Sequence, residues 1–323
     1  MSEKVSRTLT LKVARCTPDV GRSLSDLLIE AYRAAPYAAD RQMELGENTG
    51  RYRVLNVMNC RRNVCVGVIC GYTRDANQNA VDIAANNRSY PISVLAPQRD
   101  AQRHLEFVEG LVYIAVLDNY VALMTQQSIT HGMIEEFLAW FINRHTAQDV
   151  VIALDDPQRP DLRNYDMSNA KSLVFRNDVS VSPSQYRGSV SYRATGAGWS
   201  VIETVMRALG REPPDFGELR TEHDLDQLSV EVSISAKRLR SGSPSRHDAM
   251  ETIANALRDV ENPPVTFLFK DGTRITLSEY RVAKRVELPS INKIPDSNAA
   301  RIEIDKWIRE QVRALSRADV REA

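Results

Sequence analysis

Apolar and polar residues alternate without a break from Leu228 to Ser235. Leu228, Val230, Val232 and Ile234 fall on one face, and Ser229, Glu231, Ser233 and Ser235 on the other. A period of two sends successive side chains to opposite faces, so the stretch predicts a half-buried strand. Directly after it come Lys237, Arg238, Arg240 and Arg246, set among Gly, Ser and Pro with no acid before Asp248. The pattern predicts a strand that delivers four cations to an exposed loop.

Helical spacing is as clear elsewhere. Leu24, Leu27, Leu28 and Tyr32 share one face of a predicted helix over Ser23–Ala35, stopped by Pro36. Ile134, Phe137, Leu138 and Phe141 mark a helix over Thr130–Arg144, and Ile202, Val205, Met206 and Leu209 one over Trp199–Leu209 that ends at Gly210. Ser245-x-x-Asp248 opens a helix over Asp248–Val260. Asn298–Leu315 closes the chain as a helix, with Ile304, Trp307, Ile308, Gln311 and Leu315 on one face and Arg301, Arg309 and Arg313 on others.

Strand pairs fill the gaps. Tyr52–Asn59 and Val64–Tyr72 read as a hairpin joined through Cys60-Arg61-Arg62-Asn63, with Arg61 and Arg62 at its tip. Phe107–Leu117 and Tyr120–Met124 turn at Asp118-Asn119, and Val265–Leu277 turns at Asp271-Gly272. Asp149–Leu154 and Lys171–Val181 read as further strands, and Asn77–Asn87 as a loop or weak helix. The class is α+β: mixed or antiparallel sheets with packed helices, too rich in hairpins for a doubly wound parallel sheet.

Charge sharpens this picture locally. Over 323 residues, 42 Lys and Arg balance 42 Asp and Glu, so any polyanion must be met by a patch. Arg51, Arg53, Arg61, Arg62 and Arg74 form an acid-free block, whereas Glu212–Asp226 holds six acids against Arg220. No signal-peptide core and no apolar run near the ~20 residues of a bilayer span is present, which points to a soluble, cytoplasmic protein. Cys16, Cys60, Cys65 and Cys70 lack a C-x-x-C pair or nearby histidines, so free, buried thiols are expected, not a metal site. Cys65 and Cys70 should point to opposite faces of their strand.

Catalytic patterns are missing. Gly196-Ala197-Gly198 has no phosphate-loop context, and no G-x-S-x-G elbow occurs. Asp155, Asp156, Asp161 and Asp166 could be read as a Mg²⁺ nuclease cluster, yet Pro157, Pro160, Arg159 and Arg163 interleave them as in a solvated, charge-offset loop. Tyr186-Arg187 and Tyr192-Arg193 suit base stacking or ordinary cross-strand contacts equally. The reading is non-enzymatic, with no cofactor and no metal. Cations such as Lys237, Arg238, Arg240 and Arg246, with Arg61 and Arg62 as a second contact, suit the phosphates of double-stranded DNA.

Element order adds a resemblance. A hairpin beginning Phe107-Val108-Glu109-Gly110, a helix ending Val205-Met206-Arg207-Ala208-Leu209-Gly210, and an acidic Glu218-Leu219 segment occur in turn. An alternating strand with a Lys/Arg cluster and Phe269–Tyr280 before a terminal charged helix complete the series. The chain thereby resembles the RexA-like phage-exclusion proteins along most of its length. That resemblance implies a homodimeric, prophage-encoded sensor that binds duplex DNA without reading sequence. Such a sensor acts in abortive infection with a separate, RexB-like membrane protein. It also implies a globular domain, 1–149 and 247–323, interrupted by a smaller mobile α+β domain over 150–246. The rival reading is an interaction module that self-assembles through its acidic and basic blocks; a metal-dependent nuclease comes third.

Overall fold

The computed structural model describes residues 3–61, 63–76, 78–81, 92–95, 107–126, 129–157, 162, 165, 170, 172–178, 180–186, 189–195, 205, 207, 229–235, 252–253, 257, 265–291 and 293–322. The chain divides into two compact units, Met1–Pro157 with Ala283–Ala323, and Gln158–Val282.

The first unit opens with β1 (Glu3–Thr17), α1 (Leu24–Ala34), β2 (Gln42–Glu44), β3 (Arg51–Arg61) and β4 (Val64–Thr73). A short pair, β5 (Gln78–Val81) and β6 (Ile92–Leu95), precedes β7 (Val108–Leu117), β8 (Tyr120–Gln126), α2 (His131–His145) and β9 (Val151–Asp155). The second unit holds β10 (Ser172–Asp178), β11 (Ser180–Tyr186), β12 (Ser189–Thr195), β13 (Ser229–Ser235), β14 (Val265–Leu268), β15 (Arg274–Thr276) and α3 (Leu277–Tyr280). The chain then returns to the first unit with β16 (Ala283–Ile291), β17 (Ile294–Pro295) and α4 (Ser297–Glu322).

The α+β class holds, and all strand pairs among the described residues are antiparallel. Nine strands of the first unit form one sheet in the order β17-β16-β1-β8-β7-β4-β3-β2, with β9 also on β1. Thr10 pairs with both Ala283 and Leu123, and Val13 with both Tyr120 and Asp155. One edge of β1 is therefore shared by β16 and β9, and the other is bonded to β8. A bulge between Leu55 and Val57 shifts the β3–β4 register, and there Gly67 is obligatory: a Cβ would lie 2.9 Å from the Val57 carbonyl oxygen.

Alternation along the strands divides the sheet into two faces. Cys65, Ile69, Val112, Ile114 and Val116 enter the main core, which Leu24, Leu27 and Leu28 of α1 and Phe137, Leu138 and Phe141 of α2 close. The intervening residues meet α4, which packs on β7, β8 and β4. Ala300, Ile304, Trp307 and Ile308 form its buried flank. Cys65 and Cys70 thus do point to opposite faces. The helix starts are set by side chains: Ser23 accepts a hydrogen bond from the Asp26 amide, and Thr130 from the Met133 amide.

In the second unit a four-stranded sheet runs β13-β10-β14-β15, and β11 and β12 form a separate two-stranded sheet. The alternating stretch is a strand as predicted, with Val232 opposite Phe175. Gly272 adopts φ +87° in the turn between β14 and β15. Val205 and Arg207, and Thr252, Ile253 and Leu257, are helical at positions inside two predicted helices.

Several expectations need correction. The compact unit is Gln158–Val282, not 150–246: Val151–Asp155 is bonded to β1, and Val265–Leu268 to β10. Gln78–Val81, expected in a loop or weak helix, is a strand paired with β6. Lys171–Val181, expected as one strand, is divided between β10 and β11. Cys60 and Cys65, expected as free thiols, form a disulfide because the hairpin register sets them opposite each other. Cys16 and Cys70 are free. Among the described residues no helix is long and apolar enough to cross a membrane.

Candidate nucleic-acid interface

Where the end of the β3–β4 hairpin meets the outer flank of α4, a groove of about 680 Å³ opens. Arg61 from β3 and Arg301, Lys306, Arg309 and Arg313 from α4 line it, against the single carboxylate of Asp305. Its floor is apolar, from Val64 and Val66 of β4 and the exposed Ile302, and Asn59 and Asn298 add amides. Five cations against one acid leave a local charge of +4 on a chain that is neutral as a whole.

Helical spacing produces this alignment. Arg301, Asp305, Arg309 and Arg313 recur every four residues and drift slowly around one flank. At 1.5 Å per residue the row is roughly 18 Å long. An extended polyanion matches that length better than a single phosphate group does, since duplex DNA presents a charge about every 1.7 Å of its axis.

The cations are held unequally. Arg309 donates from Nε to Asp305 at 3.0 Å and from Nη2 to the Arg61 carbonyl oxygen at 3.3 Å, tying α4 to the hairpin end. Lys306 and Glu310, both well exposed, are 4.0 Å apart, a pair that water largely screens. Arg61 and Arg313 have no ion-pair partner among the described residues. The Nε of Arg301 is buried without a hydrogen-bond partner there. Nearby, burial pushes the Tyr113 hydroxyl above its ordinary value, a shift that its bond to Ser297 and the charge of Arg301 oppose.

Of the six cations proposed from sequence, Arg61 lies in this groove; Arg62, Lys237, Arg238, Arg240 and Arg246 fall outside the described residues. Arg61 is the last residue of β3 and not the turn itself. The acid-free arginine block does not form one patch. Arg53 is only 4% exposed and donates to the Met133 carbonyl oxygen at 3.0 Å. Burial pushes its guanidinium below the ordinary value, with Glu136 opposing that shift. Arg74 stacks on the Tyr52 ring, 4.8 Å from its centre. The α4 cations were the part that sequence reasoning missed, although their four-residue spacing was readable.

Asp155 and Asp156 depart from the solvated loop expected of all four aspartates. Asp155 ends β9 and pairs with Arg15, while Asp156 accepts from Lys12 at 2.7 Å. Lys12 is 1% exposed, so Asp156 compensates a buried charge. Asp161 and Asp166 lie outside the described residues, as do Arg159 and Arg163. Among the described residues no three His, Cys, Asp or Glu side chains cluster as metal ligands. Tyr186 and Tyr192 sit on the β11–β12 hairpin, opposite Ser189 and Pro183. No protein-family model matches this chain, and no curated protein sequence matches it.

Proposed function

We propose that this chain is a non-enzymatic, cytoplasmic protein that binds double-stranded DNA through its phosphates without reading base sequence. The supporting observation is the groove of Arg61, Arg301, Lys306, Arg309 and Arg313, a row of cations with one acid among them. Guanidinium and ammonium groups placed along a backbone release condensed counterions whatever the bases are. The basic segment Lys237, Arg238 and Arg240, with Arg246, outside the described residues, supplies further phosphate contacts. In this reading the chain is the homodimeric sensor of a phage-exclusion system with a separate RexB-like membrane effector, as the resemblance to RexA-like proteins implies.

The test compares binding of two unrelated duplexes at two salt concentrations, for wild type and for Arg61→Ala/Lys306→Ala/Arg313→Ala. These three side chains are exposed, so circular dichroism and melting should be unchanged. Affinity should fall equally for both duplexes, and the logarithmic salt slope should shrink by up to ~0.9 for each lost contact. Unchanged affinity and slope would remove the groove from the interface. A second variant, Lys237→Ala/Arg238→Ala/Arg240→Ala, then isolates the contribution of that basic segment. Salt-sensitive self-association with no DNA binding would favour the interaction-module reading instead.

A further inference from the structure

The groove shares its hairpin edge with the Cys60–Cys65 disulfide. In the β3–β4 register, Asn59 pairs with Val66, Cys60 with Cys65, and Arg61 with Val64, ahead of the two-residue turn. The outer and inner pairs of this series line the groove, whereas Cys60 and Cys65 face the core under α1 and α2. The sulfur bridge therefore ties together, from the far face, the two strands that present Arg61 and the apolar floor. Beyond it only the Arg61–Val64 pair remains. From α4, the Arg309 donation to the Arg61 carbonyl oxygen, at 3.3 Å, reaches this end.

We propose that Cys60 and Cys65 are a thiol–disulfide switch that sets how firmly the DNA groove holds its Arg61 edge. This rests on the reading of the groove as a phosphate-binding surface. The two sulfurs differ in access: Cys60 is half-buried, and Cys65 is 1% exposed within the core. Cys60 is therefore the exchanging sulfur and Cys65 the resolving one. A small-molecule disulfide of the glutathione type is the oxidant. The Cys60 thiolate attacks one of its sulfurs, that S–S bond breaks, and one small thiolate leaves and takes a proton from water. The Cys65 thiolate then attacks Cys60 Sγ, forming the protein disulfide and expelling the second small thiol. Two protein thiols are oxidised and one small disulfide is reduced to two thiols. Reduction runs the same steps backwards, with a small thiol attacking Cys60 Sγ and Cys65 leaving.

Loss of the bridge leaves Arg61 to fray from Val64, because strand ends open locally at low cost, while Val64 stays paired with Leu117 of β7. The prediction is asymmetric: the groove loses Arg61, but α4 keeps its cations.

The experiment uses the full chain equilibrated with oxidised or with reduced glutathione. Thiol counting by alkylation should find two free cysteines in the first state and four in the second; four in both would overturn the proposal. Amide exchange at Arg61 should quicken by about tenfold on reduction. Duplex affinity should fall roughly three- to tenfold, with the salt slope smaller by ~0.9, one phosphate contact. Cys60→Ser/Cys65→Ser should behave as the reduced form in both buffers, and wild type with and without dithiothreitol serves if that variant does not fold. Unchanged exchange overturns the clamp, and faster exchange with unchanged affinity overturns its control of the groove. No affinity in either state counts instead against the DNA reading, while exchange still decides the clamp.

Discussion

The two faces of the nine-stranded sheet take alternate residues from the same strands and end in different chemistry. On β4, Cys65 and Ile69 are sealed under α1 and α2, while Val64 and Val66 become the floor of a cationic groove. The difference lies in what covers each face. Two helices with a cluster of stacked and tilted rings, Phe137, Trp140 and Phe141, close the first. One helix with an apolar inner flank and a basic outer flank covers the second. A single long helix can therefore close a core with one flank and line a cationic groove with the other.

The sharpest way to break this comparison is to cut into both inner flanks. Phe137→Ala on α2 and Trp307→Ala on α4 should each cost about 3–5 kcal/mol in urea or thermal unfolding. Both side chains are 1% exposed or less, so a much smaller loss at Trp307 would show that α4 is loosely seated.

Next comes Arg41, which is buried on the α1 side. It donates to the carbonyl oxygens of Leu55, Ala35, Pro36 and Asn56 at 2.8–3.1 Å and lies over the Tyr32 ring. Arg41→Met should destabilise the protein by about 2–4 kcal/mol by orphaning those acceptors, and it should leave DNA affinity per folded molecule unchanged. A selective loss of affinity would place this guanidinium in the interface.

The outer flank of α4 should respond far less. Ile302 is 61% exposed, so Ile302→Ser should shift stability by no more than about 0.5 kcal/mol. A large destabilisation would mean that Ile302 itself is packed into the core.

The last effect appears only at alkaline pH. Burial pushes the Cys70 thiol up to about 11 from its ordinary value of 9.0. The folded state thus holds that proton more tightly than the unfolded chain does. Its stabilisation is complete below pH 9 and is lost as pH rises through about 11. Cys70→Ala should flatten the fall in stability over that window, measured by denaturant midpoint; an unchanged profile would assign the fall to other groups, Tyr113 first.

Legibility in the sequence followed locality. The helix at Leu24–Ala34 was readable because Leu24, Leu27 and Leu28 repeat within two turns and Ser23 caps them. Turns at Asp118 and Gly272 were readable because positive φ there needs particular residues. β1 and β16 were missed. On β16, Val286, Leu288 and Ser290 do alternate as buried positions, but Lys284 and Arg285 before them and Glu287 and Pro289 between them disguise the strand. Its partner lies near the other end of the chain, with Glu3 opposite Ser290. The candidate site divides the same way. The four-residue spacing on α4 is local, whereas the meeting of Arg309 with Arg61 depends on a register no window contains.

By itself the sequence determined the α+β class, the hairpins, the main amphipathic helices and the presence of cation-rich segments. All of these depend on side-chain period and turn chemistry over a few residues. Only the tertiary structure decided which cations gather, that Arg53 is buried while Arg61 lines a groove, that Asp156 answers Lys12, and that Cys60 meets Cys65. Those outcomes follow from strand register and from which element covers which face. Both are settled by burying the whole core at once: Lys12 finds Asp156 only where segments 144 residues apart lie side by side, and Cys60 finds Cys65 only in one register of their hairpin.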